Sequence, residues 1–350
     1  YRNIRFGELW SERLGHLIGN TECYLAQKEI ESYDIWYFRY PIANQVIADK
    51  YKQVLHIWPR WFVRIVHLAD QLLPRAYGCG PIQYDRDVTN ATKKPHLTFS
   101  RQEWVAGRKL LKDLGLPKGA KWVCFIVRDD AYLKKVFEHD WAYHAYRNAD
   151  IENYKQAALW LAEQGYYVLR MGAAVEKPFA LGNKQVIDYA NSGLRSDFGD
   201  LFLGAHCTFC LGTSTGFMAI PQAFKIPCAV TDFAPIEYIS TWCKDRVILK
   251  QHWKDGKRLS MIGIVEAGAG QFTNGKSFAE AGIELKNNTP EEILDLAREM
   301  VEGCDADQSE FWKAYPKATS PFNNKPLHGK ICARIGEKYL EAWQWKVSSE

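Results

Sequence analysis

The sequence lacks an apolar run of the ~18 residues that a membrane-spanning helix needs. Its start shows no charged-then-apolar pattern of the kind that signal peptides have. Tandem repeats and low-complexity tracts are absent as well. These absences predict a soluble protein that works in the cytoplasm. The chain starts at Tyr1 and not at Met, which leaves open an upstream segment, including an anchor.

The sequence has little excess of charge of either sign, and it has no regularly spaced cysteines. The net charge is only +4, and the excess Lys and Arg are scattered, which does not indicate a nucleic-acid partner. The nine cysteines have no repeated spacing, as expected of reduced thiols. Cys207 and Cys210 form a C-x-x-C, but they lie in a strand-like apolar run without a second pair at zinc-ligand spacing. We therefore expect no metal at these cysteines.

The composition predicts a globular protein with more than one core. Hydrophobic residues make up 47% and charged residues 25% of 350 residues, which is typical of soluble folds and not of disorder. A chain of this length usually divides into two domains. Two domains imply a cleft between them.

Strand-like and helix-like segments alternate in both halves of the chain. The pattern predicts an α/β fold with two facing doubly wound, Rossmann-like domains. A loop "LGLPKGAK" at 114–121 marks the hinge. We expect an N-terminal, acceptor-side domain over 1–116 and a nucleotide-binding domain over 117–328. A final helix over 329–350 is expected to cross back onto the first domain.

An amphipathic helix is predicted over 60–73, "RWFVRIVHLADQLL". Its apolar stripe can pack onto the first domain, as in most such helices. Its basic face could also rest on anionic lipid, so peripheral membrane contact stays open as an alternative.

Small and hydroxyl-bearing residues follow a buried strand at "CTFCLGTSTG". In an open α/β sheet, ligands bind beyond the carboxyl ends of the strands. The turn Thr213, Ser214, Thr215 and Gly216 opens a helical pattern, where backbone N–H groups favour an anion. Arg128, Arg170 and Gly172 end two other strands, and convergence would make a diphosphate site. The alternative is that each arginine pairs with a nearby carboxylate.

The loop after the first strand, "ELWSERLGHLIGNTECYL", offers a candidate general base. His16 stands between Gly15 and Gly19, and its ordinary pKa lies near working pH. Glu22 is a lower-ranked rival for the same role. Asn20 is a candidate helix cap and acceptor contact. A lone histidine is more often structural, and that interpretation stays open.

The long polar loop over 128–150 supplies candidate contacts for hydroxyl or phosphate groups, among them Asp129, His144 and Arg147. A surface excursion pinned by its aromatic residues is the alternative. Asp85 and Asp87 have D-x-D spacing, but they lie in a turn-rich loop far from the phosphate-like strand ends. We therefore predict no metal there.

Three blocks resemble a known family: "ERLGHLIGNTECYL", "YRNADIENYKQAALWLAEQGYYVLRMG" and "SDFGDLFLGAHCTFCLGTSTGFMAIPQAFKIPCAVTDF". They are similar to a bacterial family of GT-B glycosyltransferases associated with surface polysaccharide synthesis. The resemblance implies cytoplasmic transfer of a sugar from a nucleotide-sugar donor to a glycan, lipid-linked or protein acceptor, with no bound metal or cofactor. It places the donor diphosphate on the 213–216 turn and His16 toward the acceptor.

One position departs from that pattern. Several GT-B enzymes carry a glutamate for the donor ribose on the helix after the turn, and by spacing the matching residue is Gln222. A neutral amide can still bind a hydroxyl, but the donor is less certain. A nucleotide-sugar epimerase or hydrolase of the same fold and a non-catalytic carbohydrate-binding protein are the alternatives.

Overall fold

The computed structural model describes residues 3–27, 32–63, 65, 80–81, 94–132, 142–239, 245–303, 308 and 334–342. The first unit contains β1 (Asn3–Leu9), α1 (Leu14–Gln27), β2 (Ser32–Phe38), α2 (Gln45–Tyr51), β3 (His56–Ile57) and β4 (Gly80–Pro81). Its strands pair in parallel in the order β3-β2-β1-β4. The chain therefore winds outward from β1 in both directions.

A helix, α3 (Arg101–Asp113), links this unit to a second, larger sheet. The strands of that sheet and the helices between them are β5 (Trp122–Ile126), α4 (Lys155–Glu163), β6 (Tyr167–Arg170), β7 (Val186–Ile187), α5 (Asp197–His206), β8 (Phe209–Thr213), α6 (Ala219–Ala223), β9 (Cys228–Phe233) and β10 (Arg246–Leu249). The remaining elements are β11 (Gln251–Lys254), β12 (Lys257–Arg258), α7 (Met261–Glu266), α8 (Gly275–Glu280), β13 (Glu284–Lys286), α9 (Pro290–Glu302), β14 (Arg334–Ile335) and α10 (Glu337–Ala342).

The large sheet is parallel, with seven strands in the order β14-β10-β9-β8-β5-β6-β7. The winding direction reverses between β5 and β8, where a doubly wound sheet opens its ligand crevice. Strands β5, β8 and β9 are buried along their whole length, as expected of parallel strands covered by helices on both faces. The α/β class with two facing parallel-sheet units is thus confirmed. A small antiparallel sheet, β12-β11-β13, was not predicted.

One continuous core joins the two units. It includes Leu17 and Ile18 of α1 together with Val123 and Phe125 of β5, all four fully buried. Contacts of α1 with α6 and of α2 with α5 bring the units face to face. Among the described residues, no helix has the length and apolar character to cross a membrane.

One local prediction needs correction. The segment after β1 is not a loop that Asn20 caps, because α1 already begins at Leu14 and includes Gly15, Gly19 and Asn20. The helical register buries Leu17 and Ile18, and that burial outweighs the weak helix propensity of glycine.

The described part of the C-terminal segment packs on the second unit. Strand β14 pairs with β10, and Tyr339 of α10 donates a hydrogen bond to the carbonyl of Leu249. The crossing of this segment onto the first domain stays a prediction. Residues 343–350 lie outside the described residues. The domain boundary at 116/117 stays a prediction. Helix α3 precedes this boundary in sequence but packs Gly107 against Phe202 of the second unit.

The predicted amphipathic helix is described only at residues 60–63 and 65. Residues 60–63 are helical, with Val63 buried and Trp61 67% exposed. The membrane contact inferred from this helix stays a prediction.

Candidate functional site

A cleft of about 420 Å³ lies between the two units, at the carboxyl ends of β1, β5 and β8. Residues of the first unit that line it are Arg13, Leu14, Gly15, His16, Ala43 and Asn44. The opposite wall includes Arg128, Asp129, Tyr132, Arg147, Gly172, Arg195, Asp200, Thr215 and Gly216. The switch point of the large sheet therefore opens into this cleft.

Arg128 leaves the end of β5 and is held on both its backbone and its side chain. Its N–H donates to the Thr213 hydroxyl at 2.8 Å, which ties β5 to the turn after β8. Its Nε donates to the Asn148 side-chain oxygen at 3.3 Å. Burial, followed by the positive charge of Arg147, lowers the pKa of Arg128 to about 10. A half-buried guanidinium near another cation favours an anionic ligand.

Arg147 is the second cation on this wall. It ends a 3-10 turn, Ala142–Arg147, and donates a hydrogen bond of 2.6 Å to the carbonyl of Ser214. Burial lowers its pKa. The sequence placed Arg147 in a loop that could contact the acceptor, but its side chain lies beside the 213–216 turn.

Asn148 is held in place by hydrogen bonds with Asp130 and Lys250. Its side-chain amide donates to Asp130 at 2.6 Å, and its carbonyl accepts from the ammonium group of Lys250, which is only 3% exposed. The nearby Asp232 carboxylate favours the charged form of that lysine, while burial lowers its pKa. Lys250 therefore supports the segment that carries Asn148 and Arg147, a role that the sequence did not reveal.

The turn after β8 presents two of its four predicted residues to the cleft. Thr215 and Gly216 line it, and the Thr215 hydroxyl is buried without a hydrogen-bond partner. Thr213 is buried against Arg128, while Ser214 engages Arg147 through its carbonyl. The helix that follows is short, one 3-10 turn and the five residues of α6, so its dipole is small. The arginines supply most of the positive charge.

Arg170 does not converge on the cleft, and its prediction as a phosphate ligand is corrected. Its side chain is 1% exposed and lies 3.4 Å from Asp188 and 3.9 Å from Asp129. Burial lowers its pKa. The alternative of pairing with carboxylates holds for this arginine. Gly172, two residues later, does line the cleft, with a positive φ of 154°.

His16 lines the cleft from the opposite wall. Its Nδ1 lies 3.5 Å from the side-chain nitrogen of Asn20, and its ring packs edge-on against Trp10 at 5.4 Å. The second ring nitrogen is not part of the contact with Asn20. Asn20 lies one turn further along α1, and its contact with Nδ1 orients the imidazole ring of His16.

Glu22 is not in the cleft, which corrects its prediction as a rival base. The residue is 1% exposed and accepts hydrogen bonds from Tyr51 at 2.9 Å and His96 at 2.7 Å. Burial of Tyr51, followed by the negative charge of Glu22, raises the pKa of Tyr51. Glu22 therefore joins α1 to α2 in the core of the first unit.

Gln222 does not lie where a contact with the donor ribose was predicted. Its side-chain amide donates to Asp245 at 2.7 Å, and the same carboxylate accepts from the N–H of Cys228. It lies outside the cleft lining, so this amide is not placed to bind a ribose there. Because glutamine and glutamate side chains have the same length, spacing in the sequence matched Gln222 to the ribose-binding position. Only the tertiary contacts show that its amide bonds Asp245 instead.

The other predicted positions divide between the cleft and the residues that the structure does not describe. Asp129 lines the cleft, with its carboxylate accepting from the N–H groups of Ala131 and Glu176. The side chain of His144 and both Asp85 and Asp87 lie outside the described residues. Among residues that are described, no group of three or more His, Cys, Asp or Glu could hold a metal.

Three charged residues of the described cleft lining were missed by the sequence interpretation: Arg13, Arg195 and Asp200. The Arg195 guanidinium donates to Asp200 at 2.6 Å, and Asp200 lies in the first turn of α5. Burial raises the pKa of Asp200 to about 6, although Arg195 opposes the shift. The position of Arg13 just after the first strand was a signal that the strand-end rule could have used.

No family model matches this chain, and no curated protein matches it in sequence. Several solved structures are similar to it in chain path. Among them are a glycosyl transferase family 9 protein from Veillonella parvula (10% identity, 70% of this chain and 85% of that chain, TM-score 0.44), the E. coli ADP-heptose lps heptosyltransferase II (12%, 70% and 89%, 0.41) and the E. coli heptosyltransferase WaaC with ADP (12%, 80% and 99%, 0.34). At these scores the activity has to be argued from the cleft itself.

Proposed function

We propose that this protein is a glycosyltransferase that moves a sugar from a nucleotide-sugar donor to an acceptor hydroxyl. The observation that carries the proposal is the meeting of Arg128 and Arg147 at the turn after β8, in a cleft at the switch point of a doubly wound sheet. Two half-buried guanidiniums beside an unpartnered hydroxyl suit a diphosphate.

The reaction needs stabilisation of the departing nucleoside diphosphate, whose negative charge grows as the glycosidic bond breaks. Arg128 and Arg147 would hold that charge, with the Thr215 hydroxyl donating to a phosphate oxygen. Because these side chains supply positive charge, the proposed transfer proceeds without a bound metal. His16, on the facing wall, would accept the proton of the acceptor hydroxyl as that oxygen attacks the anomeric carbon.

The acceptor is proposed to be a glycan, a lipid-linked saccharide or a protein of a surface polysaccharide or glycoconjugate pathway. The proposed location is the cytoplasm, with peripheral contact at the inner face of a membrane. These finer statements rest on the sequence resemblance and on the exposed apolar residues 61 and 65.

The test measures binding and turnover separately. We expect isothermal titration calorimetry to show binding of at least one of UDP, GDP, ADP or dTDP. Arg128→Gln should weaken that binding by about tenfold or more, because a charge-assisted hydrogen bond is lost. His16→Ala should keep nucleotide affinity and lower sugar transfer, since the histidine lies on the opposite wall.

Arg108→Gln is the matched control, because Arg108 is an exposed arginine on α3, outside the cleft lining. Equal loss of nucleotide affinity in the Arg128 and His16 variants would contradict the assigned roles. Conversion of the donor without any acceptor would favour an epimerase or hydrolase. Failure of every nucleoside diphosphate to bind would favour a non-catalytic protein.

A further inference from the structure

Arg13 lines the cleft from the side opposite Arg128 and Arg147 and adds a guanidinium to theirs. Arg13 immediately precedes α1, and it is an exposed residue of the cleft lining. Arg128 and Arg147 belong to the large sheet and the loop that follows it, whereas Arg13 belongs to the small sheet. The cleft therefore has positive charge on both walls.

The three guanidiniums interact electrostatically. The charge of Arg13 contributes to lowering the pKa of Arg128 and of Arg147, after the larger effect of burial. Like charges within interaction range disfavour the empty site, and an anion between them removes that penalty. Such clusters are typical of sites that bind more than one negative charge.

Carboxylates of the cleft offset only part of this charge. Within the described part of the lining they are Asp129 and Asp200. Asp200 accepts from Arg195, a further arginine of the lining, and Asp129 accepts hydrogen bonds from two backbone N–H groups. Two carboxylates thus stand against four guanidiniums in the described lining, and the cleft keeps a positive balance.

The distance across the cleft is fixed by a backbone contact. A Cβ on Gly216 would lie 2.8 Å from the backbone nitrogen of Gly15, and a Cβ on Gly15 would lie 3.1 Å from the Cα of Gly216. Arg13 is two residues before Gly15, and Thr215 directly precedes Gly216. The start of α1 and the turn after β8 are therefore held against each other.

We propose that Arg13 is a further phosphate-binding residue, which contacts one phosphate of a diphosphate from the opposite wall while Arg128 and Arg147 hold the other. This inference rests on the proposed function and deepens it. The proposed donor is therefore a sugar linked to a nucleoside diphosphate and not to a nucleoside monophosphate. Its two phosphates would contact residues of both units.

The experiment compares diphosphates with monophosphates. Wild type, Arg13→Gln, Arg13→Lys and Arg108→Gln are titrated calorimetrically with inorganic pyrophosphate, inorganic phosphate, and the diphosphate and monophosphate of the nucleoside that binds best. We expect Arg13→Gln to weaken diphosphate binding by about tenfold and monophosphate binding by no more than about twofold. Arg13→Lys should be intermediate, because it keeps the charge but loses the planar fork.

Unchanged diphosphate affinity in Arg13→Gln, or an equal loss for both ligand types, would overturn the inference. Unliganded melting temperatures verify that the variant is folded, which its exposed position favours. If the wild type consumes a nucleotide sugar but Arg13→Gln binds diphosphate normally, only this inference fails. If pyrophosphate binding depends on Arg13 but no sugar is transferred, only the proposed function fails. No diphosphate binding by wild type refutes both.

Discussion

Three arginines of the large sheet have the same chemistry and different uses, and their partners decide which use each has. Arg128 and Arg147 donate to an amide oxygen and a backbone carbonyl, which are neutral acceptors. Arg170 lies between two carboxylates and is almost fully buried. A guanidinium held by neutral groups keeps its charge available for an anion, whereas a paired one does not.

Asp200 makes anion binding dependent on pH. Its pKa is raised to about 6, first by burial, with Arg195 lowering it and Asp197 raising it. Below this pH the carboxyl group is neutral, so the cleft loses a negative charge and anions bind more tightly. We expect wild-type affinity for a nucleoside diphosphate to gain about fivefold from about pH 7.5 to about pH 5, relative to Asp200→Asn.

Calorimetry at the two pH values measures this gain. Protonation of the ligand itself is common to both proteins and cancels in the comparison. Asp188→Asn is the control, because Asp188 also accepts from an arginine but lies outside the cleft lining. Parallel pH profiles of wild type and Asp200→Asn would contradict the prediction.

At the scale of elements, the site depends on how closely β8 approaches β5. Gly212 has a positive φ of 147°, and a Cβ there would lie 1.8 Å from the carbonyl oxygen of Ile126. The next residue, Thr213, then bonds the backbone of Arg128. Any side chain at position 212 would separate the two strands at the switch point.

Gly212→Ala should therefore destabilise the fold by more than about 3 kcal/mol, since backbone atoms cannot yield as a flexible side chain can. Urea unfolding followed by circular dichroism measures the loss. Gly263→Ala in α7 is the control, because its nearest neighbour is the Ser260 hydroxyl at 3.3 Å. A wild-type midpoint for Gly212→Ala would show that β5 and β8 can tolerate the separation.

At the scale of the whole molecule, the two units meet where the cleft walls begin. The backbone of Gly216 touches that of Gly15, and the Asn44 side chain donates to the carbonyl of Asp197 at 3.0 Å. The first contact excludes a side chain at position 216, where a Cβ would lie 2.8 Å from the backbone nitrogen of Gly15. At position 15 a Cβ would make a tight contact of 3.1 Å with the Cα of Gly216.

Gly216→Ala is expected to push the units apart at this point. The loss of stability should be about 1–3 kcal/mol, as for other overpacked contacts. Diphosphate binding should weaken as well, because the walls that carry Arg13 and Arg128 move apart. Urea unfolding and calorimetry with pyrophosphate measure the two effects, with Gly263→Ala again as the control. Weaker stability with unchanged pyrophosphate affinity would refute the link between this contact and the site.

Much of the site was predictable at strand ends and little of it elsewhere. Arg128, Gly172 and the 213–216 turn follow strands, and the edge rule for parallel sheets identifies such residues. Arg147 was recognised as polar but assigned to the acceptor. Glu22 and Gln222 were misassigned, because their partners Tyr51, His96 and Asp245 are 23 to 74 residues away in sequence.

The sequence by itself determined the two parallel sheets, through its alternating apolar segments, and it predicted the strand that the proposed anion-binding turn follows. Tertiary structure alone decided which charged side chains remain available there. Hydrophobic periodicity is a local property, readable within a few turns of chain. The availability of a charge depends on partners brought together by folding, as Arg128 beside the neutral amide of Asn148 and Arg170 beside its carboxylates show.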